Sequence, residues 1–164
     1  MMNAVQGYDA TQNQIDKGSL KPAADPTGTA SMTGVMGVVL PNDPNNTDTI
    51  LAAGKLAMDV DFDAATVTGK ATDLGQYNET QKTYVGDLSG SLDIKGNVVN
   101  TNQIDAQATG TLSTGSETGN VDLNMTGTVY DNSGKLLAHG TMQGTLTDAT
   151  GTSQLNEGAF QASE

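Results

Sequence analysis

The stretch L-A-M-D-V-D-F-D-A-A-T-V-T-G, running from Leu56 to Gly69, decides the fold. Leu56, Met58, Val60 and Phe62 alternate with Ala57, Asp59 and Asp61. After a break at Asp63-Ala64, Ala65, Val67 and Gly69 alternate with Thr66 and Thr68. A period of two sends successive side chains to opposite faces of a strand, so two such runs about a tight polar break predict a β-hairpin with one apolar face. The pattern recurs in both directions. Upstream, Ala30, Met32, Gly34, Met36 and Val38 form the inward set of a first strand, which stops at the loop Pro41-Asn42-Asp43-Pro44-Asn45-Asn46. Downstream, Gly75 to Lys82 reads as a polar turn, and Tyr84, Gly86, Leu88, Gly90, Leu92 and Ile94 as the inward set of a fourth strand. A fifth carries Ile104, Ala106, Ala108, Gly110 and Leu112, and a sixth Val121, Leu123, Met125, Gly127 and Val129. The seventh places Ala138, Gly140, Met142, Gly144 and Leu146 together, and the eighth Gly158, Phe160 and Ala162. Eight evenly spaced strands joined by short turns predict an all-β fold, a single eight-stranded up-and-down antiparallel β-barrel over residues 29–164.

Almost every strand has a glycine in its inward phase, among them Gly34, Gly69, Gly127, Gly140 and Gly144. Glycine weakens a strand, so its repetition there predicts strong bending or crowding, as a closed barrel demands. Eight strands leave an interior that side chains can just fill. Met32, Met36, Met58, Met125 and Met142 share the inward phase and read as core filling rather than as the lining of an adaptable pocket. Phe62 reads as core too, so its truncation to alanine is expected to cost about 3–5 kcal/mol if it is fully buried. Residues 1–28 are polar, broken by Pro22 and Pro26 and without periodicity, which predicts an extended N-terminal arm outside the barrel.

Composition narrows the function classes. The net charge is −12, from 19 acidic residues against seven lysines, with no arginine. Phosphate affinity comes mainly from Lys and Arg, so a nucleic-acid partner is not expected. Cysteine is absent, which removes disulfides, thiolate catalysis and thiolate metal sites. No run approaches the roughly 20 apolar residues of a membrane helix. The start, M-M-N-A-V-Q-G-Y-D-A, has neither the basic nor the apolar region of a signal peptide, and predicts either a mature fragment or a product not exported by the usual signal.

Four segments carry a resemblance: G-K-L-A-M-D-V-D-F-D-A-A-T-V-T-G from Gly54 to Gly69, D-L-S-G-S-L-D at Asp87 to Asp93, M-T-G-T-V-Y at Met125 to Tyr130, and N-E-G-A-F-Q-A from Asn156. Together they resemble the C-terminal β-barrel domains of bacterial transferrin-binding surface lipoproteins and their smaller relatives, over roughly Gly28 to the end. The resemblance implies a barrel fold and, for members of that family, export, a lipid-bearing N-terminal Cys, and capture of host proteins or haem through loops. This chain has no Cys, and it carries Tyr130-Asp131-Asn132-Ser133-Gly134-Lys135 where relatives commonly follow Tyr with Gly-Pro. No ligand residue is therefore carried over.

The candidate chemistry is sparse. Asp59, Asp61 and Asp63 could offer three carboxylates to Ca²⁺, which prefers six to eight oxygens. A same-face D-x-D-x-D on a strand nevertheless spans about 13 Å without a loop to wrap an ion, so a solvated face is the expectation. His139 is the sole histidine, flanked by Ala138 and Gly140 with no orienting group for a catalytic triad, and reads as an outward strand residue. Tyr8, Tyr77, Tyr84 and Tyr130 are few for a carbohydrate or base-stacking platform. Asn45, Asn78 and Asn124 lie in N-x-[ST] sequons, common by chance in so Thr- and Asn-rich a chain. No catalytic, cofactor or metal residue is assigned, and an enzyme is not expected.

Two functional readings remain. In the first, this is a non-catalytic structural or decoration barrel in a larger extracellular assembly, such as a phage virion, mounted on a protein partner through residues 1–28. Removing Met1 to Gly28 is then expected to leave a folded barrel that no longer joins its assembly. In the second, it is the mature portion of a ligand-binding barrel on the bacterial outer surface, capturing a host protein or haem.

Overall fold

The computed structural model describes residues 2–164, with side-chain surroundings from residue 6 onward. In chain order the elements are α1 (Met2–Asp16), β1 (Lys21–Pro22), β2 (Thr29–Val39), β3 (Ile50–Asp61), β4 (Thr66–Asn78), β5 (Thr83–Asp87), β6 (Ser89–Gly90), β7 (Leu92–Val99), β8 (Gln103–Ser113), β9 (Thr118–Asn132), β10 (Lys135–Asp148) and β11 (Gly151–Ser163). The segments β5, β6 and β7 are one strand interrupted twice, so eight strands build the wall. Every pairing is antiparallel, and each strand pairs with its neighbour in sequence. The last strand returns to the first: β11 pairs with β2 from Gly158 opposite Val38 to Ser163 opposite Thr33, closing the barrel.

The opening hairpin is β3 and β4. Val60 pairs with Val67 and Met58 with Gly69, and the four residues Phe62 to Ala65 make the turn. Leu56, Met58, Val60 and Val67 are buried in the barrel interior with Met32, Met36, Met125, Met142, Leu123 and Phe160. The inward methionines are thus core. Phe62 is only partly buried at the turn, packed against the edge of that core. The fully buried phenylalanine is Phe160, whose ring lies over Gly127 and Gly140. An added Cβ at either glycine would come within 2.7 Å of the Phe160 ring. These three residues stand side by side across β9, β10 and β11, Gly127 opposite Gly140 and Gly140 opposite Phe160. The glycines form a slot for the one large aromatic in the barrel.

The fourth strand departs from the expected phase. Tyr84 is 54 % exposed, and a Cβ on Gly86 would meet nothing within 4 Å, so neither faces the interior. The register of β4 against β5 shifts between Gln76 and Tyr77, which inserts Val85 as an extra residue and turns the alternation outward. Gly90, at φ +116, then breaks the strand a second time before Leu92 and Ile94 resume the inward phase. The expected turn at Gly75 to Lys82 is shorter as well, because β4 continues to Asn78.

The N-terminal arm is helical over Met2–Asp16, not extended. Its described inner face is Tyr8, Thr11, Gln12 and Ile15, spaced by three and four residues, with Asp9, Asn13 and Gln14 exposed opposite. Only Tyr8 and Ile15 among these are large and apolar, so no alternation or strong apolar stripe marks the segment. The helix stops at Gly18, whose φ of +70 suits glycine. Gly18 N–H donates to the Ile15 carbonyl (2.9 Å) and Ser19 N–H to that of Gln14 (3.0 Å), a Schellman ending. The chain then enters the sheet. Leu20 and Ala23 are buried, and Lys21 and Pro22 pair with Asp131 and Tyr130 of β9, just past the point where β8 begins. Ala23 N–H donates to the Val129 carbonyl (2.9 Å), and Asn102 Nδ2 donates to that of Ala23 (2.9 Å). Residues 20–23 therefore complete one end of the barrel.

Candidate functional site

Two neighbouring features mark the outer wall over β9, β10, β11, β2 and β3. The first is the seat of α1. Because Ala138, Gly140 and Met142 point inward, Leu137 and His139 point outward, yet both are 5 % exposed. Tyr8 stacks on the His139 imidazole with ring centroids 4.1 Å apart and planes 17° from parallel. The Tyr8 hydroxyl donates to the Gly140 carbonyl over 3.4 Å. Burial pushes the His139 pKa below its ordinary value, opposed in part by the Tyr8 backbone. Burial also raises the pKa of Tyr8, with Asp9 and Tyr130 adding to the effect. His139 Nε2 has no hydrogen-bond partner, and neither has Oε1 of Gln161, its cross-strand neighbour on β11.

The second feature is a groove of about 620 Å³ that continues from Tyr8 along the wall. Its apolar lining includes Val35, Val39, Leu51, Ala53 and Ala159, and its polar rim Asn124, Gln143, Glu79 and Glu157. These apolar residues occupy the outward phase of β2, β3 and β11, where a solvated barrel face would carry polar side chains. Small residues make the hollow: Gly37 lies opposite Ala53, and a Cβ added to Gly37 would meet that of Ala53 at 3.1 Å. A register shift between Met142 and Gly144 against β11 adds a residue at Asn156–Glu157 and bends the rim. A smaller hollow of about 100 Å³ opens at the end of the barrel that carries Leu40, Leu88 and Thr118.

The residues singled out in the sequence are dispersed. Asp59 Oδ1 accepts from the Ser31 hydroxyl (2.6 Å), Asp61 Oδ1 from Ala64 N–H (2.8 Å) and Asp63 Oδ1 from Gly28 N–H (3.0 Å). Each carboxylate thus serves a different turn or strand, and among the described residues no three such groups converge on a metal position. Asp59→Asn is accordingly expected to leave stability within about 0.5 kcal/mol. Millimolar Ca²⁺ is expected to leave the urea midpoint unmoved, and a rise in that midpoint abolished by Asp59→Asn would show a cation site after all. Tyr77 and Tyr84 pack at 5.2 Å with planes tilted by 59°, and the Tyr84 hydroxyl donates to Asp87, which raises the Tyr84 pKa to about 12. Tyr8 and Tyr130 lie by the arm, so the tyrosines form no single platform. Of the sequons, Asn78 is buried and its Nδ2 donates to Asp48 (2.8 Å), while Asn45 and Asn124 are exposed.

His139 is outward by phase, as read, but it is covered. The pairing with Tyr8 was not legible in the sequence, since it needs both the helix and its seat. The signals that could have found the helix are Tyr8, Thr11 and Ile15 at helical spacing, followed by Gly18 and then Pro22. Compared with protein-family models, curated proteins and solved structures, the chain matches none. No helix among the described residues is long and apolar enough to cross a membrane.

Proposed function

We propose that this chain is a non-catalytic structural or decoration barrel, carried on a larger extracellular assembly such as a phage virion and mounted on a protein partner through its N-terminal arm and the groove beside it. The observation that carries the reading is the outward apolar stripe of Val35, Val39, Leu51, Ala53 and Ala159, continuous with a helix whose far face is polar and exposed. Apolar side chains in the solvent phase of a strand, rimmed by polar ones, are how a protein contact is built. The remaining acidic surface keeps the barrel soluble and resists non-specific association.

The test follows the arm's actual anatomy. A cut at Gly28 would remove Leu20 and Ala23 from their buried positions, so the variant to make lacks residues 1–18. Tagged full-length and shortened chains are expressed in cells that make the native assembly, and the assembly is purified. The shortened chain is expected to fold, with unchanged strand content by circular dichroism, and to be incorporated at least about tenfold less, the equivalent of 1.4 kcal/mol. Equal incorporation would overturn the reading.

A second reading, the bacterial-surface barrel that captures a host protein or haem, is favoured by the volume of the groove. About 620 Å³ lies within the roughly 300–1,000 Å³ of ligand pockets, whereas the hollow of about 100 Å³ at the barrel's end does not. Saturable binding of haem or a serum protein that Ala159→Glu abolishes would establish it.

A further inference from the structure

Among the described residues, the buried side-chain polar atoms left without a hydrogen-bond partner are His139 Nε2 and Gln161 Oε1. Natural barrels satisfy such atoms, so an unpaired couple on adjoining strands calls for an explanation. Both lie on the outer wall where α1 is seated. Among the described residues, the attachments of that helix are few: the Tyr8 ring on His139, one hydrogen bond at 3.4 Å, buried Thr11, and half-buried Gln12 and Ile15. Below it, Lys17, Gly18 and Ser19 are exposed, with Gly18 in the left-handed region. Below those, Leu20 to Ala23 are held by burial and by the β9 edge. A weakly seated element, a glycine hinge and a firm anchor follow one another in the chain.

We propose that α1 is a strap that lifts off the barrel wall when His139 takes up a proton, turning about residues 17–19 while residues 20–23 stay woven into the sheet. A neutral imidazole can lie under Tyr8 at the cost of one missing hydrogen bond. An imidazolium there would be a buried charge whose Nε2–H has no acceptor, which is far more costly. Apart from the Tyr8 backbone, which opposes the effect of burial only in part, the groups around it supply no relief. From α1 come Tyr8 and Asp9, and Asp9 acts on the Tyr8 hydroxyl; from β9 come Thr128 and Tyr130; from β11 comes Gln161. Gln161 Oε1 does not bond His139 Nε2, and no carboxylate acts on His139. The Tyr8 ring face favours a cation slightly but offers Nε2 no acceptor.

The direction of the pH effect follows from burial, which holds the docked His139 below its ordinary value. The released state, with an ordinary pKa of about 6.5, then binds the proton more readily. Docking is at full strength above about pH 6.5 and weakens as the pH falls toward the docked value. Within that window the ratio of released to docked strap rises about tenfold per pH unit. Release bares His139 and the lower end of the groove. The inference concerns the chain alone and holds whatever the barrel is mounted on.

The chain has no cysteine and a single histidine, which makes the test direct. Spin labels are placed on the exposed positions Asn13→Cys in α1 and Gln107→Cys in β8, and their separation is measured from pH 8 to pH 5 on the full chain. In parallel, the His139 ring is titrated by NMR in the unlabelled protein. The expected result is one short, narrow distance at pH 8 that gives way to a longer, broader one, with a midpoint coincident with the His139 titration. His139→Gln is expected to abolish the pH response, and Tyr8→Ala to give the released distance at every pH. Protected amides at Leu123 and Phe160 report that the barrel stays folded throughout. A distance that does not change down to pH 5, a midpoint that does not coincide with the imidazole, or an undiminished response in His139→Gln would each overturn the proposal.

Discussion

Replacing Phe160 with alanine is expected to lower the unfolding free energy by about 3–5 kcal/mol, the cost of emptying a buried aromatic site that cannot collapse. Phe160 is 1 % exposed and is the larger share of the aromatic material in the interior, since Phe62 sits half-buried at a turn. Its neighbours are poorly placed to refill the space. Gly127 and Gly140 beneath the ring have no side chains, and the sheet cannot draw inward without breaking its ladders. Urea unfolding followed by circular dichroism measures the loss. A value under about 1 kcal/mol would show that the ring is not the core element described. The matching change Phe62→Ala is expected to cost clearly less, because part of its ring already faces water.

The second large effect is expected from Gly140→Ala, at about 3 kcal/mol, the upper end of the overpacking range. The new Cβ would press hardest on the Thr126 carbonyl, and would meet the Gly127 Cα at 2.5 Å and the Phe160 ring at 2.7 Å. Two of those neighbours are backbone, so β9 and β10 must part locally. Gly127→Ala differs in kind. Its closest approach is the Phe160 ring at 2.7 Å, with the His139 carbonyl at 2.8 Å. Removing the ring relieves part of the clash, so the double variant Gly127→Ala, Phe160→Ala is expected to be less destabilised than the sum of the singles by about 1 kcal/mol. Gly140→Ala keeps its backbone clash in the same background and should show weaker coupling. Equal coupling at both glycines would contradict the slot geometry.

The barrel was legible in the sequence because period two is a strong signal when one face is dry. Seven of the eight inward sets, from Ala30 through Ala162, face the interior over most of their length. The fourth failed at Tyr84 and Gly86 because nothing in T-Y-V-G-D marks Val85 as the extra residue of a bulge. Small side chains in the inward phase were also readable as crowding, and Gly127 and Gly140 show what crowds them. The arm was less legible for a different reason. Among the described residues, the helix is marked by Tyr8, Thr11 and Ile15 and seated on His139 and Gly140, more than a hundred residues away in sequence. The groove escaped notice because Val35 and Ala159 fall between the inward residues of their strands, Leu51 and Ala53 precede the alternating run that begins at Leu56, and only their lateral pairing across β2, β3 and β11 gathers them.

The pairing of β11 with β2 has a consequence in time rather than in space. The wall closes between the first barrel strand and the last, so the barrel cannot shut until β11 has been synthesised. Contacts of such wide sequence separation make for slow folding, on the order of milliseconds to seconds. During that interval β2 presents an unpaired edge containing G-V-M-G-V-V, and such an edge invites pairing with other chains. The crowded acidic charge of the chain, −12 in all, then acts at the stage where it matters most, holding unfinished barrels apart until each finds its own last strand.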